Sequence, residues 1–393
     1  MLFSLALILI IGFLLSGLFN RIDIPGLLAM IITGIVLGPH VLDLISDDIL
    51  NISGDLREIA LIVILLRAGL TLDLQDLKKV GRPAVLMCFV PALLEIGAIT
   101  LLAPMLFHIS TIEAAIMGTV VAAVSPAVVV PRMIKLMESG YGQKKRVPHL
   151  VMAGATVDDV VVIILFTAFL GMYQGEGFHA ASLIKVPISI ILGLALGIAS
   201  GLVLVRVFKR FHMRDTIKVL TILSTAFVLV TIEDLVSQWV PISGLLAVMA
   251  LGGTILKARD HLAKRLMGKF SKIWVGAEVL LFVLVGAAVD ITSVGDVGLL
   301  SVVLVLGALL FRVAGVYISL IGTALNTKER LFCAIAYLPK ATVQAAIGAI
   351  PLASGVASGN LILSVAVLAI MITAPIGAIG VDKTYQRLLV HDG

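Results

Sequence analysis

Two adjacent aspartates, Asp158 and Asp159, stand in the stretch GATVDDVVVI at residues 154–163, which is otherwise apolar. An ionised carboxylate inside the hydrocarbon of a bilayer costs roughly 3 kcal/mol on insertion scales. Two carboxylates this close cannot both ionise cheaply, so at least one is expected to hold either a proton or a metal cation. Competition between these two ligands for one carboxylate is the chemistry of an exchanger, in which the cation enters when the proton leaves.

Three other charged residues inside apolar segments are candidates for the same site. Glu95 in FVPALLEIGAI and Arg312 in ALLFRVAGVYI are 217 positions apart and opposite in charge. An ion pair between them would lower the cost of burying either, so we expect it to hold two halves of the chain together; direct ligation of a transported ion is the alternative. Lys340 in YLPKATVQAAIG either neutralises an aspartate when no cation is bound or stabilises the helix ends around it.

Prolines interrupt two of the apolar segments. AVSPAVVVP at residues 123–131 contains Pro126, and Pro339 precedes Lys340 in the second segment. Proline removes an amide donor and clashes with the preceding helical turn. Interrupted spans at corresponding positions of two halves indicate a midplane binding site, because the freed carbonyls and nearby hydroxyls can ligate a cation. We expect Ser125 and Thr342 to supply such oxygens; two structural kinks are the alternative.

These residues belong to a very apolar chain of 393 residues, 60% of them hydrophobic and 13% charged. Its mean hydropathy is +1.16, whereas soluble proteins carry about 25% charged residues. The sequence therefore predicts an all-α polytopic membrane protein, with the first span a retained helix and not a signal peptide. The thirteen predicted transmembrane spans cover residues 2–19, 24–45, 58–72, 84–107, 111–137, 147–172, 181–205, 217–237, 241–256, 273–290, 297–325, 329–353 and 359–381.

The basic residues lie mostly on one side of these spans. Of the 29 Lys and Arg residues, 24 fall in the odd-numbered connections, at the adjoining ends of spans or in the C-terminal tail; the exceptions are Arg57, Lys185, Arg67, Arg312 and Lys340. Because Lys and Arg in short loops favour the cytoplasm, we expect the N-terminus outside and the C-terminus inside a bacterial cell (inner) membrane. Because the basic residues lie mostly in short loops between spans, the chain is not expected to bind nucleic acid. The sequence contains no Walker A motif, which excludes an ATP-driven pump.

Matched strings at nearly one spacing indicate an internal repeat. GLLAM at residues 26–30 resembles GLLAVM at 244–249, and AGLTLDL at 68–74 resembles VGAAVDI at 285–291, at separations of 218 and 217. Seven spans separate the partners, so the two halves have opposite orientation, which is the inverted-topology repeat of many secondary transporters. The alternative is that such strings are common in membrane helices.

Several of these motifs together resemble the NHA branch of the cation:proton antiporters. The motifs are AVSPAVVVP, the basic loop with SGYG, the aspartate pair, YLPKATVQAAIG, LLRAGLTLD, Glu95 and Arg312, and the resemblance covers essentially the whole chain. It implies the sodium/proton antiporter fold, with inverted repeats and two broken crossing helices. It also implies elevator-like alternating access, with Asp159 as the principal ion and proton carrier and Asp158 assisting.

The same resemblance implies a homodimer in membrane lipid, with separate helices for dimerisation and for the transport core. Arg312 pairs with Glu95 where many relatives use a lysine against the first aspartate, and because an arginine does not deprotonate, the stoichiometry stays open. The implied parts are dimerisation helices at 1–77 and 215–292, core helices at 83–172 and 297–381, a linker helix at 181–209 and a cytoplasmic tail at 382–393.

We therefore expect a transporter, not an enzyme, that exchanges Na+ or Li+ for H+ and needs no cofactor. Asp158 and Asp159 are expected to bind the alkali cation, because hard oxygen ligands suit such ions. A K+/H+ antiporter on the same scaffold is the first alternative, since only the size and field strength of the site separate the two. A Na+-coupled symporter of an organic anion is the second, but it would need a polar cavity lined by Asn, Gln or Glu.

Overall fold

The structure, a computed structural model, describes residues 1–393 except 23, 72–80, 176–179, 237–239, 241, 290 and 393. Asp73 and Asp290, which belong to two strings of the predicted repeat, lie outside the described residues. The described part of the chain is helical and contains no strand. Its helices are α1 (Leu2–Arg21), α2 (Gly26–Leu37), α3 (Asp47–Asn51), α4 (Ser53–Thr71), α5 (Arg82–Met87), α6 (Val90–Phe107), α7 (Thr111–Ala122), α8 (Pro126–Glu138), α9 (Val147–Gly175), α10 (Ala180–Arg210), α11 (Asp215–Val236), α12 (Gly244–Ala258), α13 (Asp260–Ala287), α14 (Ile291–Ser319), α15 (Thr327–Ala336), α16 (Thr342–Ile347), α17 (Ile350–Ala353) and α18 (Gly359–Leu388).

These helices confirm the predicted all-α membrane fold. Among the described residues, nine helical segments are long and apolar enough to cross a membrane. The segments Gly26–Leu37, Gly244–Ala258 and Thr342–Ala353 are shorter and apolar. Together with α4, they place a helix or a broken helix at each of the thirteen predicted spans.

Two boundaries differ markedly from their predictions. Helix α2 ends at Leu37, before Gly38 and Pro39, whereas the predicted span ran to residue 45. Helix α13 begins at Asp260, whereas the predicted span began at 273. The added turns are amphipathic: Leu262, Leu266 and Phe270 are buried, while basic side chains such as Lys264 are exposed. A helix with one apolar face and one charged face has too low a mean hydropathy to register as a span, so the sequence criterion missed it.

The chain forms two compact units. The larger comprises Met1–Gly54, Leu74–Tyr173 and Val279–Gly393, and the smaller comprises Asp55–Asp73 and Gln174–Glu278. In the smaller unit, a Cβ added at Gly193 or Gly197 of α10 would lie 2.5 Å or 2.2 Å from a backbone oxygen at the start of α12. Glycines spaced four apart therefore let these two helices pack backbone to backbone, as small residues do in membrane interfaces.

The larger unit contains both predicted helix breaks. Helix α7 ends at Ala122 and α8 begins at Pro126, with Ser125 in extended conformation before the proline. A proline disfavours helical geometry at the residue before it, which explains why the helix stops there. The second break separates α15 from α16 and contains Pro339. The two breaks touch, because the Ser125 amide donates to the Pro339 carbonyl at 2.8 Å.

Two matched capping boxes mark the ends of the broken helices. Ser110 and Glu113 exchange hydrogen bonds at the start of α7, and Asn326 and Glu329 do so at the start of α15. Both pairs are 216 positions apart in the sequence, close to the separation of the predicted repeat. Each box satisfies amides that a helix N-terminus leaves unpaired.

A close helix crossing positions the buried charges. A Cβ added at Gly315 of α14 would lie 2.6 Å from the Cα of Pro91, so these backbones are in contact at the start of α6. Glu95 lies one turn after Pro91, and Arg312 lies one turn before Gly315. The glycine therefore lets α14 approach α6 closely enough for the two charged side chains to meet.

Candidate functional site

The first aspartate of α9, Asp158, is fully buried and held at one oxygen. Its Oδ2 accepts a hydrogen bond from the amide of Val124 at 2.8 Å. The same oxygen accepts from Nη2 of Arg312 at 2.9 Å. Val124 lies in the break between α7 and α8, so its amide is free to point sideways. The broken helix thus supplies a donor that an intact helix would use internally.

The second aspartate, Asp159, has a different environment. It is 9% exposed, and its Oδ1 has no hydrogen-bond partner among the described residues. Neighbouring residues on a helix point about 100° apart, which is why the two carboxylates face different surroundings. Asp159 therefore presents an unpaired oxygen at the edge of the buried cluster.

Arg312 is the centre of the cluster and is fully buried. Nη1 donates to Oε2 of Glu95 at 2.7 Å and also to the carbonyl of Ala122, and Nε donates to the carbonyl of Tyr337 at 2.7 Å. Both breaks therefore contribute a carbonyl to one guanidinium. The planar fork of arginine suits this role, because it presents several fixed donors and stays charged.

Lys340 shares two of these acceptors. Its Nζ donates to Oε2 of Glu95 at 2.6 Å and to the carbonyl of Ala122 at 3.1 Å, and its amide donates to Thr373 Oγ1 at 2.9 Å. Of the two roles that the sequence allowed, this geometry matches stabilisation of a helix end. A cation at the C-terminal end of α7 is favoured by the helix dipole.

The predicted hydroxyl pair lies where the breaks cross. Ser125 Oγ and Thr342 Oγ1 are 3.4 Å apart, and both residues are buried. Gln344, which sequence reasoning did not select, donates from Nε2 to the carbonyls of Val121 and Ala123 at 3.0 and 2.7 Å. Its position two residues after Thr342, in an otherwise apolar helix start, was the available signal.

The buried charges of this cluster neutralise one another, except for one carboxylate. Glu95 and Asp158 carry two negative charges, and Arg312 and Lys340 carry two positive charges, all four linked by hydrogen bonds. Among the described residues of the cluster, Asp159 is the carboxylate that no ion pair neutralises. An uncompensated carboxylate in a low-dielectric interior is stabilised by a proton or by a cation.

The structure thus brings together all seven residues that the sequence selected for the site. Arg67 and Glu278, two other charged residues of apolar segments, belong to the smaller unit. There the Arg67 guanidinium lies over the ring of Trp274, at 5.3 Å from its centroid. The seven site residues, all in the larger unit, are Glu95, Ser125, Asp158, Asp159, Arg312, Lys340 and Thr342.

Comparisons with known proteins agree over nearly the whole chain. A family model described as "Sodium/hydrogen exchanger, transmembrane" matches residues 5–384. The chain is 32% identical over 379 residues to sodium/hydrogen exchanger 9B2 of Mus musculus, covering 93% of this chain and 69% of the mouse protein. It is 33% identical over 387 residues to the Homo sapiens 9B2 protein, covering 93% of this chain and 70% of the human protein.

A solved structure shares the fold. The sodium proton antiporter MjNhaP1 from Methanocaldococcus jannaschii, solved at pH 8, superposes with a TM-score of 0.83. The match covers 98% of this chain and 97% of that one, at 21% sequence identity. Two chains that differ this much in sequence therefore have closely similar backbones.

Proposed function

Because the chain belongs to the transmembrane sodium/hydrogen exchanger family, we propose that it exchanges Na+ or Li+ for H+ at Asp159. This membership confirms the family resemblance that the motifs indicated, and the antiporter fold agrees with it. The cation and the proton are cargo, and they occupy the same carboxylate in turn.

The observation that carries the proposal is the charge balance of the buried cluster. Glu95, Asp158, Arg312 and Lys340 neutralise one another through ion pairs of 2.6 to 2.9 Å. Asp159 takes part in none of these ion pairs, so one monovalent cation or one proton restores neutrality. The site then crosses the membrane loaded with one or the other, which prevents either ion from leaking alone.

The cation is held partly hydrated between the crossing breaks and α9. Asp159 supplies the charge, while Asp158 and the hydroxyls of Ser125 and Thr342 supply further oxygens for the ion or its water. These are hard ligands, which suit an alkali cation. Protonation of Asp159 on one side of the membrane expels the ion, and deprotonation on the other side recruits the next.

The charge count also bears on stoichiometry. Arg312 does not deprotonate, and Lys340 is bound to Glu95 and a helix-end carbonyl. We therefore propose that both keep their charge throughout the cycle, so that one cation is exchanged for one proton.

The movement is proposed to be elevator-like, in a homodimer surrounded by lipid. The helices at 83–172 and 297–381 would move as a core against dimerisation helices at 1–77 and 215–292. The basic loops support an N-terminus outside and a C-terminus in the cytoplasm. The matched curated relatives named above come from animals, so the bacterial cell membrane gains no support from them.

A proton-flux assay in proteoliposomes tests the proposal. Purified protein is reconstituted with a pH-sensitive dye inside, and Na+, Li+ or K+ is added outside in separate runs. Na+ and Li+ should each dissipate an imposed pH gradient. Activity with K+ alone would establish the K+/H+ alternative, and uptake of a labelled organic acid with Na+, without proton movement, would establish the symporter.

A further inference from the structure

Tyr337, the residue that follows α15, contacts Arg312 in two ways. Its carbonyl accepts from Nε at 2.7 Å. Its ring lies 5.6 Å from the guanidinium carbon, within the range of a cation–π interaction. Tyr337 is fully buried, so both contacts are shielded from solvent and help to fix the guanidinium.

The hydroxyl of the same residue reaches α9. A Cβ added at Gly154 would lie 1.8 Å from Tyr337 Oη, so a side chain at position 154 would displace the phenol. Asp158 lies one turn later on the same face of α9. Because Cα–Cβ bonds in a helix tilt towards the N-terminus, the Asp158 carboxylate leans back over the turn where the hydroxyl ends.

Two polar atoms without partners therefore face the same region. Tyr337 Oη and Asp158 Oδ1 are both buried, and neither has a hydrogen-bond partner among the described residues. One atom is a donor and the other an acceptor. Buried polar groups of this kind are nearly always paired, through ordered water where no protein group is within reach.

We propose that one ordered water molecule bridges Tyr337 Oη and Asp158 Oδ1, which makes Tyr337 a positioning residue of the cation site. This inference rests on the proposed function. Tyr337 then holds Arg312 directly and Asp158 through the water. With Oδ2 engaged by Val124 and Arg312, both oxygens of Asp158 are then held in place. Asp158 stays fixed as the partner of Arg312 and assists the ion through its water, which leaves Asp159 to exchange its ligand.

The test compares two single-atom variants. Tyr337→Phe removes the hydroxyl and keeps the ring and the carbonyl. Tyr317→Phe is the matched control, since Tyr317 lies on α14 and packs against the same buried apolar cluster. Exchange kinetics are measured in proteoliposomes, and Na+-dependent thermal stabilisation is measured in detergent. Tyr337→Phe should raise the apparent KM for Na+ about three- to tenfold, as expected for loss of a water-mediated hydrogen bond, while the maximal rate stays within about twofold.

The concentration of Na+ needed for half-maximal thermal stabilisation should rise by the same factor, and Tyr317→Phe should change neither quantity. Equal KM values in the two variants, or a lower maximal rate at unchanged KM, would overturn the proposal. If the wild type shows no exchange, the proposed function is wrong. The bridging water is then tested by structure alone. An experimental structure at high resolution must then show a water bonded to both atoms in the wild type and not in Tyr337→Phe; its absence from the wild type overturns the proposal.

Discussion

At the scale of single residues, the acidic groups differ in what neutralises them. Glu95 accepts hydrogen bonds from Arg312 and Lys340. Asp158 accepts hydrogen bonds from Arg312 and from a backbone amide. Asp159 takes part in none of the ion pairs of the described cluster. We therefore propose separate roles for these adjacent residues: Asp158 is held in place and assists, and Asp159 exchanges its ligand.

Replacing Asp159 by Asn should abolish exchange while the protein stays folded. The amide keeps the size of the side chain but can neither bind a proton at working pH nor supply a negative charge to a cation. Proton flux driven by Na+ should fall to the level of empty liposomes, with an unchanged elution volume in size-exclusion chromatography.

Asp382→Asn is the matched control, because Asp382 lies on α18 and forms a partly exposed ion pair with Arg132 at 3.1 Å. Exposed pairs contribute about 0 to 1 kcal/mol, so this variant should exchange normally. Sodium-dependent proton movement that persists in Asp159→Asn would count against the assignment of the carrier.

Replacing Arg312 by Leu should destabilise the fold more than it changes cation affinity. The change leaves Asp158 buried with the Val124 amide as its remaining hydrogen-bond donor. Breaking a buried ion pair costs about 3 to 5 kcal/mol of folding free energy. Thermal unfolding in detergent measures the loss. Adding Asp158→Asn to Arg312→Leu should recover part of it, because the uncompensated charge is then gone. An unchanged melting temperature together with lost transport would show that Arg312 acts in transport and not in stability.

At the scale of helices, the site depends on the two positions where the chain leaves helical geometry. The break before Pro126 frees the Val124 amide for Asp158, and the break around Pro339 frees the Tyr337 carbonyl for Arg312. The carbonyls of Val121, Ala122 and Ala123 at the end of α7 receive donors from Gln344, Arg312 and Lys340. The break before Pro126 is therefore stabilised by side chains of the other half of the chain. The break around Pro339 is stabilised by Arg312 and Thr373 of its own half and by the Ser125 amide of the other.

Substituting Gly315 by Ala should separate α14 from α6. The new Cβ would lie 2.6 Å from the Pro91 backbone, and overpacking of this kind costs about 1 to 3 kcal/mol. We expect a lower melting temperature and weaker exchange, because Arg312 and Glu95 are displaced. Gly97→Ala on α6 is the control, since its Cβ would meet nothing within 4 Å and the change favours the helix by about 0.5 to 1 kcal/mol. Equal destabilisation by both variants would contradict the role given to this crossing.

At the scale of the whole molecule, the charge count predicts electroneutral transport. If Arg312 and Lys340 stay charged, one cation leaves for each proton that enters. The rate of exchange in proteoliposomes should then be the same whether the membrane potential is clamped at zero or at a large value of either sign. A rate that follows the imposed potential would show that Lys340 releases its proton during the cycle.

The predicted orientation can be tested on the same molecule. The native cysteines Cys88 and Cys333 are both buried, so a cysteine added at an exposed loop is the reactive one among them. His108→Cys lies in a connection assigned to the outside, and Gln143→Cys lies in one assigned to the cytoplasm. A membrane-impermeant maleimide should label the first in intact cells and the second only after permeabilisation, and the reverse pattern would invert the topology.

The sequence by itself determined the membrane fold and predicted seven candidate residues of the site. Long apolar runs allow few structures other than transmembrane helices, and charges such as Asp159 or Arg312 stand out because burying them in lipid is costly. The prolines identified both breaks for the same local reason. The start of α13 was missed, because its amphipathic turns have no signal in mean hydropathy.

Only the tertiary structure decided how these groups pair. Glu95 and Arg312 meet because Gly315 contacts Pro91, and Lys340 reaches Glu95 and the end of α7 because the two breaks cross. The contributions of Gln344, Tyr337 and the Val124 amide depend on contacts between positions far apart in the chain. A local pattern fixes which residues are buried, whereas the partner of each buried charge depends on the packing of distant helices, which no local pattern encodes.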